Sequence, residues 1–298
     1  MKIKNPQPRT SPILARPRSY SVALAIPRFE DMFASFYAIE IIKGVGVACS
    51  RLELDFSIHV TNKGKKEQLF EKKVFDVEQF DGVLFADING DIELLEKIRA
   101  RKMPHIVMNN FFPDKNISCV GIDNTVGGYQ ATKHLIDLGH RDIATITGNL
   151  TTQAGAHRLM GYKKALKEAN IPVKEEYIFE GDFIRKGARE AAKDIFTANP
   201  RPSAVFCASD LMAAEALSAL EQKGLKVPGD ISIVGFDNSP IASSCHVPLT
   251  SIEQPLFEMA RQATESLSAI IQNKHKAPVK VLLPTKLIKR SSTKIFKG

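Results

Sequence analysis

No stretch of this chain approaches the roughly 18 consecutive apolar residues of a membrane span. The basic residues near its N-terminus are followed by neither an apolar h-region nor a small-residue cleavage site. Those two absences predict a cytoplasmic protein with no membrane partner. Cysteine is sparse as well. Cys49, Cys119, Cys207 and Cys245 lie far apart, with no C-x-x-C pair and no histidine spaced to complete a zinc site. They read as structural thiols, and no metal is expected.

Signatures of nucleotide chemistry and of nucleophilic catalysis are also missing. Gly44-Val45-Gly46 lacks the third glycine of a dinucleotide fingerprint and falls late in a helical stretch, and no phosphate-cradling G-x-x-x-x-G-K-[ST] loop exists. No serine sits in a G-x-S-x-G elbow, and no cysteine has a histidine base evident in the sequence. The seven histidines form no i,i+4 pair. His140 follows a helix end, where a partly charged imidazole suits the helix dipole, and His157 borders a candidate site helix. No cofactor and no catalytic residue is assigned, and an enzyme is disfavoured.

What remains is an ordinary globular composition. The chain has 298 residues, 44% hydrophobic and 25% charged, enough for two domains, with a net charge of +8. Much of the positive charge is terminal: Lys2, Lys4, Arg9, Arg16 and Arg18 occur without an acidic residue, among Pro6, Pro8, Pro12 and Pro17. Residues 1–19 are therefore expected to form a basic, proline-rich tail, disordered or extended.

From Tyr20 onward, short apolar runs alternate with helical patterns. Strands are predicted at Val22–Ile26, Leu54–Val60, Asp81–Phe85, His105–Met108, Cys119–Ile122, Ile143–Thr147, Tyr177–Phe179, Ala204–Cys207 and Ile231–Val234. Helices are predicted over Ala38–Ala48, Lys66–Lys73, Ile92–Arg101, Thr125–Leu138, Ala156–Ala169, Lys186–Phe196 and Leu211–Lys223. Two such alternating sets predict an α/β protein of two doubly wound parallel-sheet lobes. In open α/β sheets ligands sit at the carboxyl ends of the strands. The residues there include Arg28, Asp87, Asn109, Asn149, Phe183, Ser209 and Asp237. Two such edges facing each other would enclose a small polar molecule.

Individual residues sort by their alternatives. Asp210 precedes a helix, so N-capping is its default role. Asp237 has no helix directly behind it, since Pro240 intervenes, and reads as a ligand contact. Arg158, after the small-residue loop 149–156, is readable either as a solvated surface cation or as a group aimed into the cleft.

Several stretches in order resemble the lactose-repressor-like (LacI/GalR) transcription regulators. They are Asp81-Gly82-Val83-Leu84, Asp123-Asn124 through His134-Leu135-Ile136-Asp137-Leu138-Gly139-His140, Arg158-Leu159-Met160-Gly161-Tyr162, Val227-Pro228-Gly229-Asp230 through Phe236-Asp237-Asn238, Leu249-Thr250-Ser251-Ile252-Glu253-Gln254-Pro255, and Leu282–Leu287 with Arg290-Ser291-Ser292. The resemblance runs from about Tyr20 to Thr293. It implies a type I periplasmic-binding-protein-like fold with a ligand cleft between the lobes, the first lobe being 20–122 plus 256–281 and the second 123–255 plus 282–293. It also implies a homodimer that binds a small sugar-like effector. By position, Arg158 and Asp237 match the family's effector-binding pair and Phe183 its stacking aromatic. Asn109 stands where an Asp is usual, Ser209 where an Asn is common, Phe36 or Tyr37 in the aromatic pair, and Gln254 at the crossover.

Two departures qualify the match. The 27–37 loop is longer than usual, leaving open which aromatic enters the cleft. Residues 1–19 cannot hold a helix-turn-helix headpiece, so DNA contact is expected only if such a headpiece is supplied outside this chain. The resulting expectation is the effector-sensing and dimerisation core of a regulator. The alternative is a stand-alone sugar-binding protein of the same fold.

Overall fold

A computed structural model describes residues 19–27, 35–61, 79–88, 96–97, 99–113 and 116–297. The first lobe begins with β1 (Ser21–Pro27), α1 (Phe36–Leu52), β2 (Asp55–Thr61), β3 (Gly82–Phe85), β4 (His105–Met108) and β5 (Cys119–Ile122). The chain then passes into α2 (Asn124–Asp137), β6 (Ile143–Thr147), α3 (Gln153–Glu168), β7 (Ile178–Glu180), α4 (Arg185–Thr197), β8 (Ala204–Cys207), α5 (Asp210–Gln222), β9 (Ser232–Asp237), α6 (Pro240–Ser244) and β10 (Thr250–Glu253). It returns for α7 (Leu256–Ile271) and β11 (Lys280–Leu283) and crosses a third time to β12 (Lys286–Ile288). The tail 1–18, the expected helix 66–73, most of the expected helix 92–101 and Arg28 lie outside the described residues.

Two six-stranded sheets result, ordered β11-β5-β4-β3-β1-β2 and β12-β10-β9-β8-β6-β7. Every pairing is parallel except β10 with β12. Strands such as Ala204–Cys207 are uninterrupted apolar runs because helices cover both faces of a parallel sheet and all four side chains are buried. Leu282 and Leu283 pair with Gly121 and Ile122, so the first sheet extends to residue 283, two residues beyond the boundary read from the sequence.

Only Asp123 separates the carboxyl end of β5 from the start of α2. The helix that precedes β6 begins at the carboxyl edge of the second sheet, so one residue joins the two carboxyl edges. Asp123 also caps α2, accepting from the amides of Thr125 at 2.9 Å and Val126 at 3.1 Å.

Helix contacts explain two glycines. A Cβ on Gly44 would lie 2.3 Å from the Phe257 carbonyl, so Gly44 serves the contact of α1 with α7. A Cβ on Gly128 would lie 2.2 Å from the Arg158 carbonyl, which lets α2 and α3 touch backbone to backbone.

Candidate functional site

Arg158 is the centre of the carboxyl-edge cluster. Its helix, α3, starts a turn earlier than the apolar stripe suggests, because Thr152 caps it by accepting from the Gly155 amide at 3.1 Å. That places Arg158 in the second turn, only 3% exposed. Its Nε donates to Asn124 Oδ1 at 2.9 Å and its Nη1 to the Ala208 carbonyl at 2.6 Å. The guanidinium lies over the Phe236 ring, 3.7 Å from its centroid, and 5.7 Å from that of Phe183. Burial lowers its pKa to about 10, against the pull of Asp237 and Asp210, so it stays cationic at neutral pH. Among the described residues its hydrogen bonds run through Nε and Nη1.

Asp237 ends β9 at 3.8 Å from the Arg158 Nη1. Its Oδ1 accepts from Gln254 Nε2 at 2.5 Å. Burial raises its pKa to about 7 even beside the guanidinium. A helix does follow closely: α6 begins at Pro240, where proline suits the first helical position. The sequence reading that no helix lies behind Asp237 is thus corrected.

Ser209, not Asp210, is the N-cap of α5, its hydroxyl accepting from the Met212 amide at 3.2 Å. The capping role expected of Asp210 therefore falls to its neighbour. Asp210 is fully buried one position further on, where its carboxylate makes other bonds.

From the first lobe, Tyr37 donates its hydroxyl to the Ala86 carbonyl and is hydrogen-bonded to Asn109. Burial raises its pKa well above the phenol range, and the Asp87 charge adds to that. Phe36 packs against the hydrophobic core. The Tyr37 hydroxyl lies within electrostatic reach of Arg158.

Phe183 lies against Gly148: a Cβ there would come within 1.9 Å of the ring. Asn149 reinforces this corner by donating to Asp182 and accepting from the Thr151 amide.

Backbone strain collects at these edges. Nine non-glycine residues have positive φ among those described, and five of them are Asn109 (62°), Asp182 (52°), Phe183 (60°), Asp237 (116°) and Asn238 (53°). Such conformations cost roughly 1–3 kcal/mol each and persist where the surroundings over-determine them. Unpartnered buried polar atoms collect here too. Five side-chain atoms lack a hydrogen bond among the described residues, and four are Asn109 Oδ1, Asn110 Nδ2, Thr147 Oγ1 and Gln254 Oε1. All four residues stand at or just past the carboxyl end of a strand.

A sequence pattern describing periplasmic binding protein-like domains matches residues 132–293. The Ribose operon repressor of Haemophilus influenzae is 36% identical, over 86% of this chain and 77% of its own length. The structure of a transcriptional regulator CelR–cellobiose complex superimposes with a TM-score of 0.85 at 33% identity, covering 93% of this chain and 86% of that one. A LacI-family regulatory protein from Chloroflexus aggregans gives 0.84 at 25% identity, covering 92% and 98%. The chain belongs to the LacI family of transcription regulators.

Against the residues expected from that family, Arg158, Phe183, Asp237 and Gln254 are placed together by the structure, with Tyr37 and Asn109 facing them from the first lobe. Ser209 is adjacent through Ala208, whose carbonyl Arg158 holds. Four further polar residues stand at these strand ends or between the lobes, and of them the sequence reading had placed only Asp87 at the edge. Asp87 was visible as a strand end, and its charge acts on Tyr37 and Arg158. Asn110 and Thr147 carry unpartnered atoms. Gln153 bridges the lobes, its Oε1 accepting from the Phe111 amide at 2.6 Å and its Nε2 donating to the Phe111 carbonyl at 3.0 Å. No group of three or more His, Cys, Asp or Glu suited to a metal occurs among the described residues.

Proposed function

We propose that this chain is the effector-sensing and dimerisation core of a LacI-family regulator, and that its effector is a small, neutral, hydroxyl-rich molecule of the sugar class. The observation that carries the reading is the set of four unpartnered buried polar atoms at the strand carboxyl ends, the edge that also carries the Arg158–Asp237 pair. Two of them accept (Asn109 Oδ1, Gln254 Oε1), one donates (Asn110 Nδ2) and Thr147 Oγ1 does both. A hydroxyl also donates and accepts, so a polyol satisfies such a mixed set better than an anion or a cation does. Each buried group left unsatisfied costs about 1–3 kcal/mol, which an effector would recover. The Phe183 ring offers a flat apolar face for the C–H side of a sugar ring. Asn109 in place of a carboxylate keeps the first-lobe wall uncharged at that point. The cellobiose in the CelR structure and the ribose in the name of the Haemophilus repressor agree with the class without naming the compound.

Occupancy would favour the closed arrangement of the lobes over the open one and so alter the geometry of the dimer. A helix-turn-helix unit outside residues 20–293 would read the DNA. The test is a thermal-shift and calorimetric screen of monosaccharides, disaccharides and nucleosides. A saccharide should raise the melting temperature of the wild type, and Asp237→Ala and Arg158→Ala should each abolish the shift. A hit confined to nucleosides, or saccharide shifts that survive both substitutions, would remove the reading.

A further inference from the structure

We infer that Asp210 is the positioning residue of this site: its carboxylate holds the 237–239 turn in the conformation that presents Asp237 to the cleft. The inference rests on the reading of Asp237 as an effector contact.

Asp210 is 0% exposed, and among the described residues the hydrogen bonds of its carboxylate run to one turn and to the strand beside it. Oδ2 accepts from the Ser239 amide at 2.7 Å and from the Ser239 hydroxyl at 3.0 Å. Oδ1 accepts from the Ser251 hydroxyl at 2.6 Å, and that same hydroxyl accepts from the Asn238 amide at 3.0 Å. The two amides that follow Asp237 are therefore both tied to one carboxylate, the second directly and the first through Ser251. Those two peptide units set a backbone with φ of 116° at Asp237 and 53° at Asn238. For residues with a Cβ, these conformations persist only where outside bonds enforce them.

The seat of the carboxylate is shaped to receive it. A Cβ on Gly235 would lie 2.2 Å from Asp210 Oδ1, so only glycine leaves room there. Asp210 is also in the first turn of α5, where the helix dipole favours a negative charge. On the far side of the turn, Arg290 Nη2 donates to Asn238 Oδ1 at 2.5 Å, and Asn238 Nδ2 donates to Glu253 at 3.1 Å. Arg290 and Glu253 hold the Asn238 side chain, and Asp210 holds the backbone.

The charges that face Asp237 are Arg158 from α3 and Asp210 from α5, and Gln254 hydrogen-bonds it from beyond β10. Arg290 faces Asp210, while Tyr37 and Asp87 face Arg158 from the first lobe. The Asp210 charge is thus felt at Asp237.

The test compares wild type with Asp210→Asn by carbon-detected NMR titration of the aspartate carboxyls, with Asp237→Asn supplying the assignment, and by amide hydrogen exchange. Asparagine keeps the shape but loses the charge and one acceptor. The Asp237 midpoint should fall by roughly one pH unit on loss of the neighbouring like charge. The Asn238 and Ser239 amides should exchange about tenfold faster, a factor equivalent to a single hydrogen bond, while amides of β6 stay unchanged. A folded Asp210→Asn protein with the wild-type midpoint and full protection at both amides overturns the inference. If that variant does not fold, Ser251→Ala decides, because it removes only the hydroxyl between Asp210 and Asn238. Faster exchange at Asn238 is then expected, and unchanged exchange overturns the inference. A wild-type protein that binds no saccharide fails the reading of the cleft. The titration and exchange comparisons judge Asp210 in either event.

Discussion

At the scale of single residues, the Arg158–Asp237 pair shows desolvation outweighing attraction. The carboxyl lies 3.8 Å from a guanidinium and its pKa still rises to about 7. A carboxyl whose folded pKa exceeds its unfolded value of about 3.9 keeps its proton longer in the native state. Between about pH 4 and 7 the native form therefore binds more protons than the unfolded form, and stability falls as pH rises through that window. Asp210, raised to about 6 by burial, contributes in the same direction over the lower part of the window. Urea denaturation at several pH values should show that Asp237→Asn flattens the decline between pH 5 and pH 7. A variant as steeply dependent on pH as the wild type would contradict the assignment. The position of Asp237 at the carboxyl edge was legible in the sequence because it directly follows a continuous apolar run. The setting of Asp210 was not, since its partners Ser239 and Ser251 lie 29 and 41 residues away.

Secondary elements were easier to read than their ends. Buried parallel strands are continuous apolar runs, and the predicted β8, Ala204–Cys207, coincides with the observed one. The start of α3 was misplaced by three residues because Gln153, Ala154 and Gly155 carry no apolar stripe, and the signal was the cap Thr152. The Arg158–Gly161 stretch, which helped to reveal the family, has a packing reason as well. A Cβ on Gly161 would sit 2.2 Å from the Thr125 carbonyl, as one on Gly128 would from that of Arg158. The backbones of α2 and α3 would have to part for either. Gly128→Ala should cost about 1–3 kcal/mol by the usual penalty of overpacking, seen as a lower urea midpoint. It should also weaken saccharide binding, since the Arg158 backbone is what moves. A loss of stability with saccharide affinity intact would separate this helix contact from the site.

On the scale of the whole molecule, the two lobes were legible as two runs of alternating elements, but the bond that spans them was not. Gln153 and Phe111 are 42 residues apart, and a glutamine at a helix start has no pattern that points to a backbone on another lobe. The pair of hydrogen bonds between them contributes about 1–3 kcal/mol to the arrangement of the lobes seen here. Gln153→Leu should therefore shift the equilibrium away from this arrangement, toward a more open one, by roughly 5- to 150-fold. Small-angle scattering should show a larger radius of gyration for the variant without saccharide, and calorimetry a weaker affinity. An unchanged radius together with an unchanged affinity would mean that the bridge forms without influencing closure.

The contact of α1 with α7 has a further consequence during synthesis. The Phe257 carbonyl that closes over Gly44 is made about 200 residues after it, which at 5–20 residues per second is roughly 10–40 s. Through that interval the growing chain can complete most of its second lobe while α1 has no α7 to cover it. The lobe that emerges first is thus the last to close, and its nascent form is a natural substrate for holding chaperones. Ribosome-bound chains stalled before residue 256 should cross-link to such chaperones through Val45 and Cys49, which are buried in the finished protein, and chains released at full length should not.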